Sequence, residues 1–216
     1  MDISKIPVGR NPPYDVNVIV DNSVGGSPVK YQFDKSAGVM MVDRVIHTAM
    51  TYPGNYGFIP HTLSGDGGPV DVIVVGRHPV IPGAVLRVRP IGVLLMEDEK
   101  GEDEKILAVP VSKLKPDYDD VHSHEDLPGD LWQQIAHFFA HYKDLEDGKW
   151  VWIAGWEGPG KAAEMILAGI ERAAAQDPDA PCSAARRHRR CRFIGSAWNW
   201  RHASKRLTEI AGAATS

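Results

Sequence analysis

Residues 63–75, LSGDGGPVDVIVV, open as a turn and close as a strand. Ser64, Gly65, Asp66, Gly67, Gly68 and Pro69 are all turn formers, and the glycines reach backbone angles that other residues resist. The β-branched run Val70, Val72, Ile73, Val74 and Val75 then predicts a strand that stops at Gly76. Two carboxylates sit at the junction, Asp66 on the loop and Asp71 at the start of the strand. Such a junction holds two acids near each other with one side open, which suits a hard cation bound by oxygen with room for water and substrate. The plainer alternative is a turn whose aspartates cap backbone N–H groups.

Working outward, short strands are expected on both sides of this stretch. Val16–Asp21, Val29–Asp34, Val39–Ile46 and Gly54–Ile59 precede it, separated by turns such as Asn22–Pro28 and Lys35–Gly38. Val85–Met96 follows it, and Pro90 and Gly92 inside that run predict a bend or bulge. Strands of this length and spacing point to a small barrel or sandwich. The period then changes. Leu131, Ile135, Phe138, Phe139 and Tyr142 fall at helical spacing between Pro128-Gly129 and Asp147-Gly148. Trp150–Trp156 is strand-like, and from Lys161 to about Ala175 a second helix carries Ala162, Met165, Ile166, Gly169 and Ala173 on one stripe. The fold class is therefore mainly β (α+β), a β-rich core with two outer helices. Residues 1–175 form its domain, and residues 176–216 form a basic extension.

The chain of 216 residues is long enough for one good core. Its net charge of −4 hides a split. From Asp177 onward seven Arg and one Lys face three acids, a net of +5, which leaves −9 for the rest. So acidic a body is poorly suited to following nucleic-acid phosphates and well suited to holding cations. Both cysteines, Cys182 and Cys191, lie in the extension, so neither a disulfide framework nor a cysteine-rich zinc site supports the body. No basic-then-apolar leader opens the sequence, and runs such as Ile91–Met96 are too short to span a bilayer, so a cytoplasmic protein is expected.

A second acidic turn runs from Glu97 to Lys105, EDEKGEDEK. Alone it reads as a solvated turn between two strands. Paired with the first it means more. Asp66 and Asp71 end one loop and Asp98 and Asp103 frame the other, both leading into one small sheet. Four converging carboxylates repel one another unless cations lie among them, and an all-oxygen site suits Mg²⁺ over zinc or copper. Lys30, Arg44, Lys105 and Lys143, with Tyr52, Tyr56 and Tyr142, surround these loops in sequence. Each has an ordinary alternative, since Lys and Arg face water and Tyr packs. Together with Mg²⁺ they would suit a small, highly charged phosphate, Arg binding oxygens in pairs and Lys acting as a point charge.

The segments Pro28–Tyr31, Val42–Arg44, Tyr52–Gly57, Gly65–Val72, Gly101–Lys105 and His137–Glu146 resemble, in order, the soluble family I inorganic pyrophosphatases of bacterial type. The likeness runs over about residues 1–175. It implies a closed five-stranded barrel of OB type, assembly as hexamers, and Mg²⁺-dependent hydrolysis of inorganic diphosphate to two phosphates, with several ions per site. Position by position it implies that Asp66, Asp71 and Asp103 hold the metals that generate the nucleophile, and that Asp98 helps hold one arriving with substrate. Lys30, Arg44, Tyr56, Tyr142 and Lys143 would grip the diphosphate, and Lys105 would sit among the charged groups lining the site; Lys105 and Lys143 are the candidate catalytic cations.

Three departures stand out. The family's acidic turn reads Asp-Gly-Asp-Pro-x-Asp, and here its middle acid, the group that contacts the attacking water, is Gly68. Gln32 replaces a usual Glu, and Asp21 stands where Glu is usual. A positioned general base contributes about 10² to 10⁴ in rate, less than metal activation of water, so a slowed diphosphatase is expected. The rival readings are a degenerate relative that only binds metal and phosphate, and an OB-type nucleic-acid-binding module.

His137 and His141 lie one helical turn apart without an HExxH pattern, which favours packing or a subunit contact over zinc. In the extension, Cys182, His188, Cys191 and His202 lack zinc-finger spacing. Little fixed structure is expected there. Its abrupt change of character, where the family's chains end, fits a reading frame that shifts after a lost stop.

Overall fold

A computed structural model describes residues 1–176 of the chain. The expectations for the extension concern residues 177–216, outside the described residues. Along the chain run β1 (Gly9–Asn11), β2 (Asp15–Asn22), β3 (Val29–Asp34), β4 (Val39–Val45), β5 (Asn55–Phe58), β6 (Asp71–Val74), β7 (Val85–Asp98), β8 (Gly101–Glu102), β9 (Lys105–Pro110), α1 (Gly129–His141), β10 (Val151–Glu157) and α2 (Pro159–Gln176).

Strand β7 organises the sheet because its 14 residues are long enough to serve several partners. Its first residues pair with β2, its middle with β9, and its end with β10 and β8. Since β2 also pairs with β5, β5 with β6 and β6 with β9, five strands close into a ring in the order β2-β5-β6-β9-β7. Closure leaves no free edge within the ring. The expected bend in β7 is present: its register against β9 shifts between Pro90 and Gly92. Gly92 is required there, because a Cβ would lie 2.9 Å from the Glu157 carbonyl oxygen and 3.2 Å from His124 Nδ1.

Side chains alternate along the ring strands and feed two apolar clusters. Ile73, Leu107, Leu94 and Met96 pack with Ile135, Phe138, Phe139 and Tyr142 of α1 and its C-terminal cap. Val72, Val74, Ile106 and Ala108 pack with Ala162, Ile166 and Ile170 of α2. Each such fully buried Leu, Ile or Phe contributes about 1.5–3 kcal/mol.

Two elements differ from the sequence reading. Strand β9, with the apolar run Ile106–Val109, is the fifth member of the ring, although periodicity pointed only to a strand beyond the acidic turn. Strands β3 and β4 form a separate two-stranded sheet outside the ring. Val39, Met41, Val42 and Val45 are exposed on β4, so among the described residues nothing covers them.

Candidate active site

The ring positions the functional groups by register. Strands β6 and β9 are parallel, with Asp71 directly opposite Lys105. Asp103 lies two residues before Lys105, so its side chain falls on the same face. The Lys105 ammonium accordingly donates to Asp71 at 2.7 Å and to Asp103. On β5, Tyr56 lies opposite Ile73, one step diagonally from Asp71, within reach of a long side chain. Its hydroxyl donates to Asp71 Oδ2 at 2.5 Å. Beneath them, Phe139 of α1 packs its ring 6.1 Å from that of Tyr56 and 5.9 Å from the Lys105 ammonium.

Burial here is deep, with Lys105 only 2 % exposed. Burial alone would discharge that ammonium, but the charges of Asp71 and Asp103 overcome it and hold its pKa above the ordinary range. Burial, and then the Asp71 and Asp103 charges, push the Tyr56 phenol well above its usual value.

A second cluster forms where β7 ends. Glu99 and Lys100 make the tight turn between Asp98 and Gly101, which adopts φ +116°. Asp98 accepts from the Lys100 backbone N–H at 2.7 Å and from Lys143 at 2.6 Å. Lys143 arrives from the turn after α1, next to Tyr142, whose ring stacks on Phe138 at 5.3 Å. Glu99 accepts from Lys149 at 2.5 Å and from Lys143 at 3.5 Å. Burial works against its charge, but the Lys149 hydrogen bond and the Lys143 charge prevail and lower its pKa to about 2.

The β3–β4 hairpin carries the remaining cations, with Lys30 and Arg44 opposite each other in register. Lys30 pairs with Asp43 at 3.1 Å, and Arg44 lies 3.2 Å from Glu146. The charge of Lys30 reaches Asp21, and that of Arg44 reaches Tyr52 and Tyr142. Gln32 is exposed on the same hairpin.

The loop of Asp66 is different. Asp66 is exposed, and its Oδ1 accepts from the Gly68 N–H at 2.9 Å, which is the turn-capping geometry. The loop nevertheless lies beside the second bend: a Cβ on Gly65 would be 3.7 Å from the Glu102 carboxylate. The structure thus joins Asp71, Asp103, Lys105 and Tyr56 directly, joins Asp98 to Lys143, and leaves Asp66 facing its own turn.

Among the described residues no three acidic, His or Cys side chains stand close enough to enclose an ion as they are. The donor set still fits a hard cation, since it is all oxygen and short of positive charge. Asp21 carries the sign of that shortage. It sits at a bulge in β2, between Val20 and Asn22, and its buried Oδ1 has no partner. Burial and the neighbouring Asp71 charge raise its pKa to about 8. Burial, with Glu102 and Asp103 nearby, also raises that of Glu104.

The His137 and His141 rings stand 4.5 Å apart on the outer face of α1, with His141 Nδ1 2.8 Å from Asp144. His137 also lines a surface cavity of about 620 Å³ with Met50, Thr51, Gln133 and Phe138, which shares no side chain with the carboxylate clusters. Sequence reasoning gave no individual role to Glu99, Glu146 or Lys149. Spacing could not have found them, because Glu99 meets its two lysines from 44 and 50 residues away.

The inorganic pyrophosphatase family profile matches residues 18–174. An inorganic pyrophosphatase of Caulobacter vibrioides is 62 % identical over 172 residues, 80 % of this chain and 97 % of that one. One from Rhodospirillum rubrum is 61 % identical over 175 residues, 81 % of this chain and 98 % of its own. Among solved structures, the Coxiella burnetii inorganic pyrophosphatase superposes with a TM-score of 0.75 at 46 % identity, covering 77 % of this chain and 99 % of that one. The Thermus thermophilus enzyme superposes at 0.76 and 40 % identity, with 80 % and 99 % covered. With its ring of five strands and its carboxylates gathered at one end, this chain belongs to the inorganic pyrophosphatase family.

Proposed function

We propose that this chain hydrolyses inorganic diphosphate to two phosphates with several Mg²⁺ ions, which Asp66, Asp71, Asp98 and Asp103 would hold. The observation that carries the reading is the meeting of Asp71 and Asp103, from two different bends, on one buried ammonium. When bound, the ions would neutralise phosphate charge and lower the pKa of a water from about 15.7 toward about 7.

The chain's own groups do the rest. Lys105 stays protonated and keeps Asp71 and Asp103 at a fixed separation. Tyr56 keeps its proton and, by donating to one oxygen of Asp71, orients that carboxylate. Lys30, Arg44, Tyr142 and Lys143 bind the diphosphate oxygens. The charge of Lys143 gains strength as negative charge builds on the departing phosphate. Lys143 exchanges its bond to Asp98 for substrate oxygen. Gly68 has no proton acceptor, so the water loses its proton without help at that point, and turnover is slower for it.

The test is phosphate release from diphosphate by the full chain. Release with Mg²⁺, its loss on adding a chelator and its return with excess Mg²⁺ are expected. Absence of release at every Mg²⁺ concentration contradicts the proposal and favours the degenerate binder, which Gly68 and Gln32 support.

Assembly and location belong to the same reading. A hexamer in the cytoplasm is proposed. The exposed Leu145, Trp150 and Trp152, apolar side chains suited to burial between copies, support the assembly. Among the described residues no helix is long and apolar enough to cross a membrane. Sizing of the full chain in solution tests the assembly: six copies are expected, and a monomer contradicts it.

A further inference from the structure

The segment that follows α1 does more than deliver Lys143. Successive turns, with Asp144 N–H bonded to His141, Glu146 N–H to Lys143 and Lys149 N–H to Glu146, wind it tightly until Gly148 at φ +73° releases the chain. Its outward side meets the end of β4 twice. His47 Nδ1 lies 3.4 Å from the Leu145 carbonyl oxygen, and Glu146 Oε1 lies 3.2 Å from Arg44 Nε. Both atoms of the second pair are buried and have no other partner among the described residues, and their mutual geometry is an ion pair too skewed for a hydrogen bond. The Glu146 side chain is 12 % exposed and that of Arg44 31 %, so the carboxylate is the sheltered half and the guanidinium the half that looks outward.

Arg44 needs such an anchor. Its hairpin belongs to a separate sheet, without ladder hydrogen bonds to the ring that carries Asp71 and Lys105. Its other charged neighbour, Asp43, lies 3.4 Å from Nη1 on the same strand, so it turns with the hairpin and fixes nothing relative to the ring. Glu146 is tied elsewhere, to the turns that also carry Lys143.

We propose that Glu146 is a positioning residue: from the loop between α1 and β10 it grips the Nε edge of Arg44 and sets the guanidinium at the same site as Lys143. This rests on the reading of Arg44 as a diphosphate ligand. One loop then fixes the spacing of two phosphate-binding cations, one from the outlying hairpin and one from the turn after α1.

The experiment is steady-state hydrolysis of diphosphate with Mg²⁺ by the full chain and by Glu146→Gln, Glu146→Asp, Arg44→Lys and the Arg44→Lys/Glu146→Gln pair, with melting temperatures alongside. Arg44 lies on the outlying hairpin and is read as holding substrate and transition state alike, so Glu146→Gln should raise KM about tenfold with kcat within about twofold, the pattern of lost uniform binding through a misplaced group. Glu146→Asp, which keeps the charge, should fall between Gln and the natural residue. In the Arg44→Lys background Glu146→Gln should add nothing further, because the two act through one contact. A Glu146→Gln that melts lower while keeping KM unchanged overturns the proposal and makes Glu146 merely structural. An Arg44→Lys with unchanged KM overturns the Arg44 reading itself, and is told apart from the first failure by that variant alone.

Discussion

The two acidic bends are built from the same residue types and end up in opposite conditions. In the bend of Asp98 and Asp103 three of the six carboxylates have met a cation: Asp98 with Lys143, Asp103 with Lys105, Glu99 with Lys149. In the other bend the Asp66 carboxylate has, among the described residues, the loop's own Gly68 N–H as its partner, and the side chain is exposed. The first bend is held by ion pairs to other elements. The second leaves its carboxylate exposed to an incoming ligand. A binding site that must admit ions and release product is served by one wall of each kind.

Adding the missing acid to the exposed bend is the largest way to disturb this contrast. Gly68 has ordinary backbone angles, and a Cβ there would meet only the Asp66 carboxylate, at 3.3 Å, an exposed side chain that can rotate away. Gly68→Asp should therefore fold normally and raise the diphosphate turnover rate by about 10² to 10⁴, the range for a positioned general base. A variant no faster than the natural chain would show that position 68 does not limit the reaction.

Removing a cation from the held bend should show in stability. Lys105→Met leaves Asp71 and Asp103 facing each other unpaired, and breaking a buried pair this way costs about 3 kcal/mol where the carboxylates are partly exposed. Urea unfolding measures it. Added Mg²⁺ should return much of the loss to this variant, since the ion replaces the ammonium. Equal Mg²⁺ stabilisation of both proteins would place the ion elsewhere.

Acid should act on the held bend through Glu99. Its folded pKa of about 2 lies below the usual 4.5, so its contribution to stability is complete above pH 4.5 and is lost as pH falls toward 2. The stability difference between the natural chain and Glu99→Gln should shrink over that interval in urea titrations. A constant difference would mean that the lysines do not hold the carboxylate. The smallest effect belongs to Asp66→Asn, expected to change stability by less than about 0.5 kcal/mol without metal, as an exposed substitution does.

How far the sequence revealed this follows the same division. The turn-to-strand reading of residues 63–75, both helices and the bend in β7 are local patterns, and they appear where periodicity and breakers put them. The family's motifs carried the barrel and the candidate site. What stayed hidden was long-range. The family likeness put Lys105 in the site, but its own neighbourhood, five charged residues out of six, reads as a solvated turn, and the parallel pairing of β6 with β9 that buries it opposite Asp71 was not legible. The hairpin of β3 and β4 reads like any ring strand, and only the ring's closure by β2 and β7 leaves it outside. Glu146 and Glu99 act through partners that no spacing rule connects.

The measurement closest to the central claim is a calorimetric titration of Mg²⁺ into the full chain and into Asp66→Asn, Asp103→Asn and the double variant. If the two bends share one cation site, each single change weakens the same binding event, and the double change costs clearly less than the sum of the two. Strictly additive losses, or a binding event untouched by either change, would mean that the two bends do not act on the same ions.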